Sequence, residues 1–304
     1  MKKVLILMVV ICGATGFYFS NKPKIAYWSG LIAAGKDRIG WVAGSNVFQL
    51  GVPWHRQEHS LSCEVASLKM ALDGVGVNVS EGELIKALAF DPTPKTRTTW
   101  GDPYTGFVGN IDGRMPSTGY GVYWDPIAKL GLRYVRTQAL SNTSLTNILL
   151  HVQSGRPVIV WGYLGNGNRM AWTTPQGKTI TAVNGEHAFV LIGWTGPIEN
   201  PSDVILLDPI YGEIHWTAQK FMDVWSVLDR GAVVVYHQPR WVKTPNDNTV
   251  WEISSDNKTK YALSMNWETF INGGGVGEGI NLINEADLDK YINGGMLSEL
   301  TPNL

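Results

Sequence analysis

The order of two hydrophobic periodicities constrains this chain most. In the first half, Cys63, Ala66, Met70 and Ala71 recur at helical spacing, with Val65, Leu68 and Leu72 widening the apolar face, so a helix is expected over about residues 62–73. Ser80-x-x-Glu83 reads as a capping box opening a second helix through Leu88. Leu145, Ile148, Leu149 and Val152 mark a third, which stops at Gly155. Beyond that point short apolar runs take over: 157–161, 187–194, 204–207 and 232–236 read as strands. A helix over 217–225, with Phe221 and Val224 inward, separates the last two. Helices first and a strand-rich, antiparallel half second make an α+β fold, the N-terminal helices packing on the sheet.

Four segments follow from the texture of the chain. Met1-Lys2-Lys3, the apolar run from Val4 to Ile11 and the small residues Cys12, Gly13, Ala14 and Gly16 have the anatomy of an export signal, so residues 1–20 are expected to be a signal peptide or a short membrane anchor. The apolar stretch is shorter than the roughly 20 residues that span a bilayer comfortably, which favours cleavage after Gly16. Ile11 before Cys12 makes a poor lipidation site. Residues 21–50 lack a sustained period and read as a linker and N-terminal arm; 51–239 form the main domain; 240–304, with polar turns, Trp251, Trp267 and a Gly-rich stretch, read as a small C-terminal α+β module. Within the main domain, 100–126 is a Gly, Pro and aromatic segment expected to be an ordered loop. Lys plus Arg total 25 and Asp plus Glu 26, a net charge of −1, so nothing favours a nucleic-acid partner, and membrane contact is expected only through the N-terminus. The expected location is extracytoplasmic.

The chemistry turns on the cysteine count, which is two. Two cysteines make neither a disulfide framework nor a four-cysteine metal knuckle, and Cys12 belongs to the export segment. Cys63 stands at the expected start of the first helix, where free N–H groups and the helix dipole bias a thiol toward thiolate. Alone, such a cysteine is more often a small buried hydrophobe. Three features raise the case for a nucleophile. Gln57, six residues earlier, can share an oxyanion with the Cys63 N–H; His187 opens one strand; Asp208 ends the next. If those strands pair antiparallel, the carboxylate can orient the imidazole toward the thiol.

The run Val52-Pro53-Trp54-His55-Arg56-Gln57-Glu58-His59-Ser60-Leu61-Ser62-Cys63, then Gly185-Glu186-His187-Ala188-Phe189-Val190-Leu191-Ile192-Gly193-Trp194, then Leu207-Asp208-Pro209 with Phe221 and Trp225, resembles the papain-like cysteine peptidases. Within them it is most similar to the stand-alone branch of cysteine peptidase family thirty-nine, the bacteriocin-processing, double-glycine peptidase group. The resemblance spans about residues 51–238 and implies Cys63 as nucleophile, His187 as base, Asp208 as orienting acid and Gln57 as oxyanion donor, with a peptide or protein substrate and no cofactor. Two departures stand out: Glu64 follows Cys63 where leader-cleaving members have glycine, and no G-x-x-x-x-G-K-[ST] phosphate loop is present.

His55-Arg56-Gln57-Glu58-His59 also spells H-x-x-E-H, an inverted zinc-peptidase motif. That motif needs a helix, and the flanking Pro53, Ser60 and Ser62 favour an extended segment and a cap, so no metal is expected there. His59, Trp100, Tyr120, Tyr123, Trp124 and Trp161 are the residues expected to line a substrate groove, with plain packing an equal alternative for the aromatics. The expected activity is an exported cysteine peptidase. Its alternatives are a peptidoglycan-directed amidase or endopeptidase acting on cell-wall peptide, and a non-catalytic envelope-binding protein that keeps the fold.

Overall fold

The computed structural model describes residues 39–41 and 46–301; the expected export segment and Cys12 lie outside them. Among the described residues no helix is long and apolar enough to cross a membrane. In chain order the elements are β1 (Ile39–Trp41), β2 (Val47–Leu50), α1 (Cys63–Gly74), α2 (Glu81–Ala87), β3 (Phe90–Asp91), β4 (Phe107–Gly109), β5 (Gly119–Gly121), α3 (Trp124–Gly131), β6 (Thr137–Leu140), α4 (Leu145–Gln153), β7 (Val158–Tyr163), β8 (Arg169–Thr173), β9 (Thr179–Val183), β10 (Glu186–Thr195), β11 (Asp203–Asp208), β12 (Gly212–Thr217), α5 (Ala218–Trp225) and β13 (Ala232–Val235). After them come β14 (Trp241–Lys243), β15 (Trp251–Ile253), β16 (Thr259–Leu263), α6 (Trp267–Asn272), β17 (Ile280–Leu282), α7 (Glu285–Leu288) and β18 (Ile292–Leu297).

The main sheet runs β1-β2-β10-β7-β13-β6, with β11 on β10 and β12 on β11, every pairing antiparallel. β10 is its spine. Its N-terminal part pairs with β7 and its C-terminal part with β11, across an irregularity at Leu191–Gly193 past which β2 joins it. Nine consecutive buried residues, from Glu186 to Trp194, explain why the sequence there is a continuous apolar run rather than an alternation: both faces are covered. α1 lies on this spine, and all of its residues from Cys63 to Leu72 except Lys69 are buried. The capping box closes as expected: Ser80 Oγ accepts from Glu83 N, and Glu83 Oε2 accepts from Ser80 N, both at 3.2 Å.

Three differences from the sequence reading stand out. The stretch 21–50, expected to be an arm, supplies two strands: β2 buries Phe48 and Leu50 on alternate positions and zips onto β10, a pattern too short to read as a period. The expected loop 100–126 is ordered but carries β4 and β5 and ends at Trp124, where α3 begins; Pro126 falls in the first turn, where its missing N–H costs nothing. The β8–β9 hairpin went unread because its alternation is shared between polar Thr and Arg positions. The C-terminal residues form a separate five-stranded sheet, β17-β14-β15-β16-β18, with small clusters of their own around Ile253 and Phe270. Buried Glu252 joins this sheet to the main body: Arg240 lies 2.9 Å and Arg136 3.7 Å from Oε1, Trp241 Nε1 donates to Oε2 at 3.2 Å, and Arg136 also donates to the Ile253 carbonyl.

Candidate active site

Backbone pairing builds the site. β10 and β11 run antiparallel, which brings the start of one beside the end of the other, and His187 Nε2 meets Asp208 Oδ1 at 3.2 Å. The same Oδ1 accepts from Ile210 N at 2.7 Å and Tyr211 N at 3.2 Å, in the turn that Pro209 opens. Burial works to raise the Asp208 carboxyl, but the hydrogen bond and charge of His187 and these two N–H groups outweigh it and hold Asp208 below the ordinary carboxylate range. A carboxylate only accepts, so His187 Nε2 must donate, and in the neutral ring Nδ1 is left bare. The imidazole is covered by Phe189, edge-on at 4.8 Å, which in turn packs on Trp216 at 5.0 Å.

The segment before α1 is tied to the same corner. Trp54 Nε1 donates to Asp208 O at 2.8 Å and Gln57 N donates to Pro209 O at 2.9 Å. Residues 51–62 are non-helical, as the Pro and Ser pattern demands. The two histidines of H-x-x-E-H part company: His55 Nε2 meets Glu81 Oε2 at 2.7 Å, while the half-buried His59 ring meets Asp112 Oδ1 at 2.8 Å. Gln57 Nε2 donates to His59 O at 2.7 Å and Ser60 O at 3.1 Å, and Gln57 Oε1 is buried without a partner. The amide expected to meet an oxyanion is thus turned onto its own loop.

Cys63 is 5% and His187 4% exposed. The thiol donates to Glu64 Oε2 at 3.3 Å and makes no hydrogen bond with His187. Burial pushes the thiol up, the charges of Glu64 and Glu186 push it further, and the Ala188 N–H opposes them. This corrects the expectation that the helix start biases Cys63 toward thiolate. One N-terminal dipole does not offset desolvation and two neighbouring carboxyls. Burial lifts Glu64 to about 7 against the Val122 N–H, which donates to Oε1 at 2.7 Å. Burial, then the neighbouring Glu64, raise Glu186 well above the usual range. Sequence reasoning missed this carboxyl pair. The available signals were a Glu in the first turn of a helix with no polar face and a Glu opening a strand buried on both sides.

The aromatic residues expected in an open groove are interior instead. Trp100, Tyr120, Tyr123, Trp124 and Trp161 are each 4% exposed or less. Their polar tips are taken internally: Trp161 Nε1 donates to Val122 O at 2.9 Å, Tyr123 OH to Thr181 O at 3.0 Å, and Tyr120 and Tyr123 share a hydroxyl contact at 2.8 Å. Tyr104 and Trp172 complete the stack. The aromatics order the 100–126 segment against β9, and contact area rather than ligand binding is what they supply. A cavity of about 230 Å³ beside Tyr104, Trp124 and Asp229 touches none of Gln57, Cys63, His187 or Asp208.

Comparison with known proteins agrees with this architecture. The model of the Peptidase_C39 like family matches residues 49–233. Protein YvpB of Bacillus subtilis strain 168, which is uncharacterized, is 30% identical over 179 residues, covering 57% of this chain and 68% of that protein. A crystal structure described as a C39-like peptidase from Bacillus anthracis superposes with a TM-score of 0.54 and 26% identity over 61% of this chain and 94% of that one. The chain therefore belongs to the Peptidase_C39 like family and has its papain-like α+β fold.

Proposed function

We propose that this chain is an exported cysteine peptidase, with Cys63 as nucleophile, His187 as base and Asp208 as the residue that orients His187. The observation that carries the reading is the His187–Asp208 hydrogen bond, which leaves Nδ1 as the bare nitrogen, together with a helix-initial cysteine whose thiol is influenced by the N–H of Ala188, the residue after His187. Once His187 takes the thiol proton, sulfur attacks the amide carbonyl and forms a tetrahedral adduct; the imidazolium then gives that proton to the leaving amine, and water releases the acyl group by the same route. The Cys63 N–H and the Gln57 amide face the oxyanion after Gln57 exchanges one of its bonds to His59 O and Ser60 O for substrate. In this reading His59, at the half-exposed end of that loop, meets substrate. The substrate class is peptide, with cell-wall stem peptide as the particular case that export favours.

A second reading rests on the closed state of the site: a thiol bonded to Glu64 and nearly sealed from solvent suits a binding protein that retains the fold. A fluorescent peptide carrying a thiol-reactive warhead separates the two. Labelling of the wild type, lost in Cys63→Ala and collapsed in His187→Ala, supports the peptidase; labelling equal in all three refutes it. Release of free amines from purified cell wall, compared with a peptide library, then fixes the substrate class.

A further inference from the structure

Beside the thiol sit two carboxyls that the proposed reaction does not use. Glu64 is fully buried and Glu186 is 4% exposed, and both oxygens of Glu186 are buried with no hydrogen-bond partner. A sealed carboxylate without a donor is costly unless a proton or a cation neutralises it. The backbone makes room for the pair: a side chain on Gly121 would put its first carbon 2.4 Å from Glu64 Oε1 and 2.5 Å from Glu186 Oε2. One ligand atom from each of Cys63, Glu64 and Glu186 lies within 4.8 Å of the other two.

We propose that Cys63, Glu64 and Glu186 form a binding site for a thiophilic divalent cation of the zinc class, which holds the thiol in a silent state. The separations fit such an ion. Zinc–sulfur and zinc–oxygen bonds of 2.3 and 2.0 Å at a tetrahedral angle put the two ligand atoms about 3.5 Å apart, and Cys63 Sγ and Glu64 Oε2 are 3.3 Å apart. The ion takes the place of the S–H proton and of the protons that the buried carboxyls hold in its absence: the S–H and O–H bonds break, sulfur–metal and oxygen–metal bonds form, and the protons leave to solvent, with no change of oxidation state. The donor set, one thiolate and two carboxylates, carries three negative charges, of which a divalent ion offsets two, and the ion supplies the partner that Glu186 lacks. This regulatory role rests on Cys63 being the nucleophile; the binding site itself does not.

The test titrates the full chain with cadmium and follows the ultraviolet sulfur-to-cadmium charge-transfer band. One equivalent is expected to saturate it, and Glu64→Gln and Glu186→Gln are each expected to weaken binding by about tenfold or more, with Cys63→Ser abolishing the band. His187→Ala is expected to leave it intact. A band lost in His187→Ala but kept in Glu186→Gln would overturn the inference, because the ion would then sit between Cys63 and the imidazole. Absence of a band in the wild type would overturn it as well, the carboxyls then being neutralised by a shared proton. Should either glutamine variant fail to fold, protection of wild-type Cys63 from iodoacetamide by stoichiometric zinc, maintained in His187→Ala, decides the same question. Neither readout needs turnover, so a failed peptidase assay and a failed metal site give different results.

Discussion

Asp208→Asn separates the charge of the orienting residue from its geometry. In the wild type Oδ1 accepts from His187 Nε2, Ile210 N and Tyr211 N, while Oδ2 is buried without a partner. An asparagine must present its oxygen to the same three donors, since its NH₂ group there would face two backbone N–H groups. His187 therefore keeps its proton on Nε2 and its bare Nδ1. What disappears is the negative charge that stabilises the imidazolium. A hydrogen bond to a charged group contributes about 1.5–3 kcal/mol, so the second-order rate of warhead labelling should fall about 10- to 100-fold, with the fold intact by circular dichroism. A loss of about 10⁴, the size seen when a substitution leaves the imidazole in the wrong tautomer, would refute the claim that the Ile210 and Tyr211 N–H groups dictate the amide orientation. An unchanged rate would remove Asp208 from the orienting role. Because the Asp208 carboxyl is depressed in the folded state, its stabilising contribution is present at neutral pH and lost as pH falls below the ordinary carboxylate range, and the variant should lose that part of the acid sensitivity.

Two further outcomes concern stability. Glu252→Ala strands Arg136, which is 4% exposed, beside Arg240 at the junction of the two sheets, and should cost about 3–5 kcal/mol in urea unfolding; a loss below about 1 kcal/mol would mean that the cluster relaxes into water. In chelator, the metal-free protein should lose stability as pH rises from 4.5 toward about 7, because the folded Glu64 retains a proton that the unfolded chain has released. One such proton gives a slope of about 1.4 kcal/mol per pH unit. Glu64→Gln should remove that proton's share of the slope and leave the share due to Glu186, and a flat wild-type profile would show that the buried pair is ionised throughout.

The helices and strands with clean periods were legible early, because a buried helix face or a doubly covered strand writes its burial directly into residue type; α1, α4, α5 and β10 are of this kind. The short edge elements were not. Four residues of β2 carry two buried side chains, too few to distinguish from an arm, and only pairing with β10 makes them a strand. The aromatic segment misled in the opposite direction, since tryptophan and tyrosine serve a groove and a core equally well, and a hydroxyl or indole N–H taken by a buried carbonyl is visible only in three dimensions.

By itself the sequence determined the α+β order, the helix-initial position of Cys63 and the candidates Gln57, His187 and Asp208, all of them matters of spacing along one chain. Tertiary structure alone decided what those groups face. It set His187 against Asp208 through an antiparallel register, turned the Gln57 amide onto its own loop, and closed Glu64 and Glu186 over a bare Gly121 beside the thiol. Charge, desolvation and hydrogen bonding act through space, so the protonation of Cys63 follows from neighbours up to 125 residues away that no spacing rule could bring together.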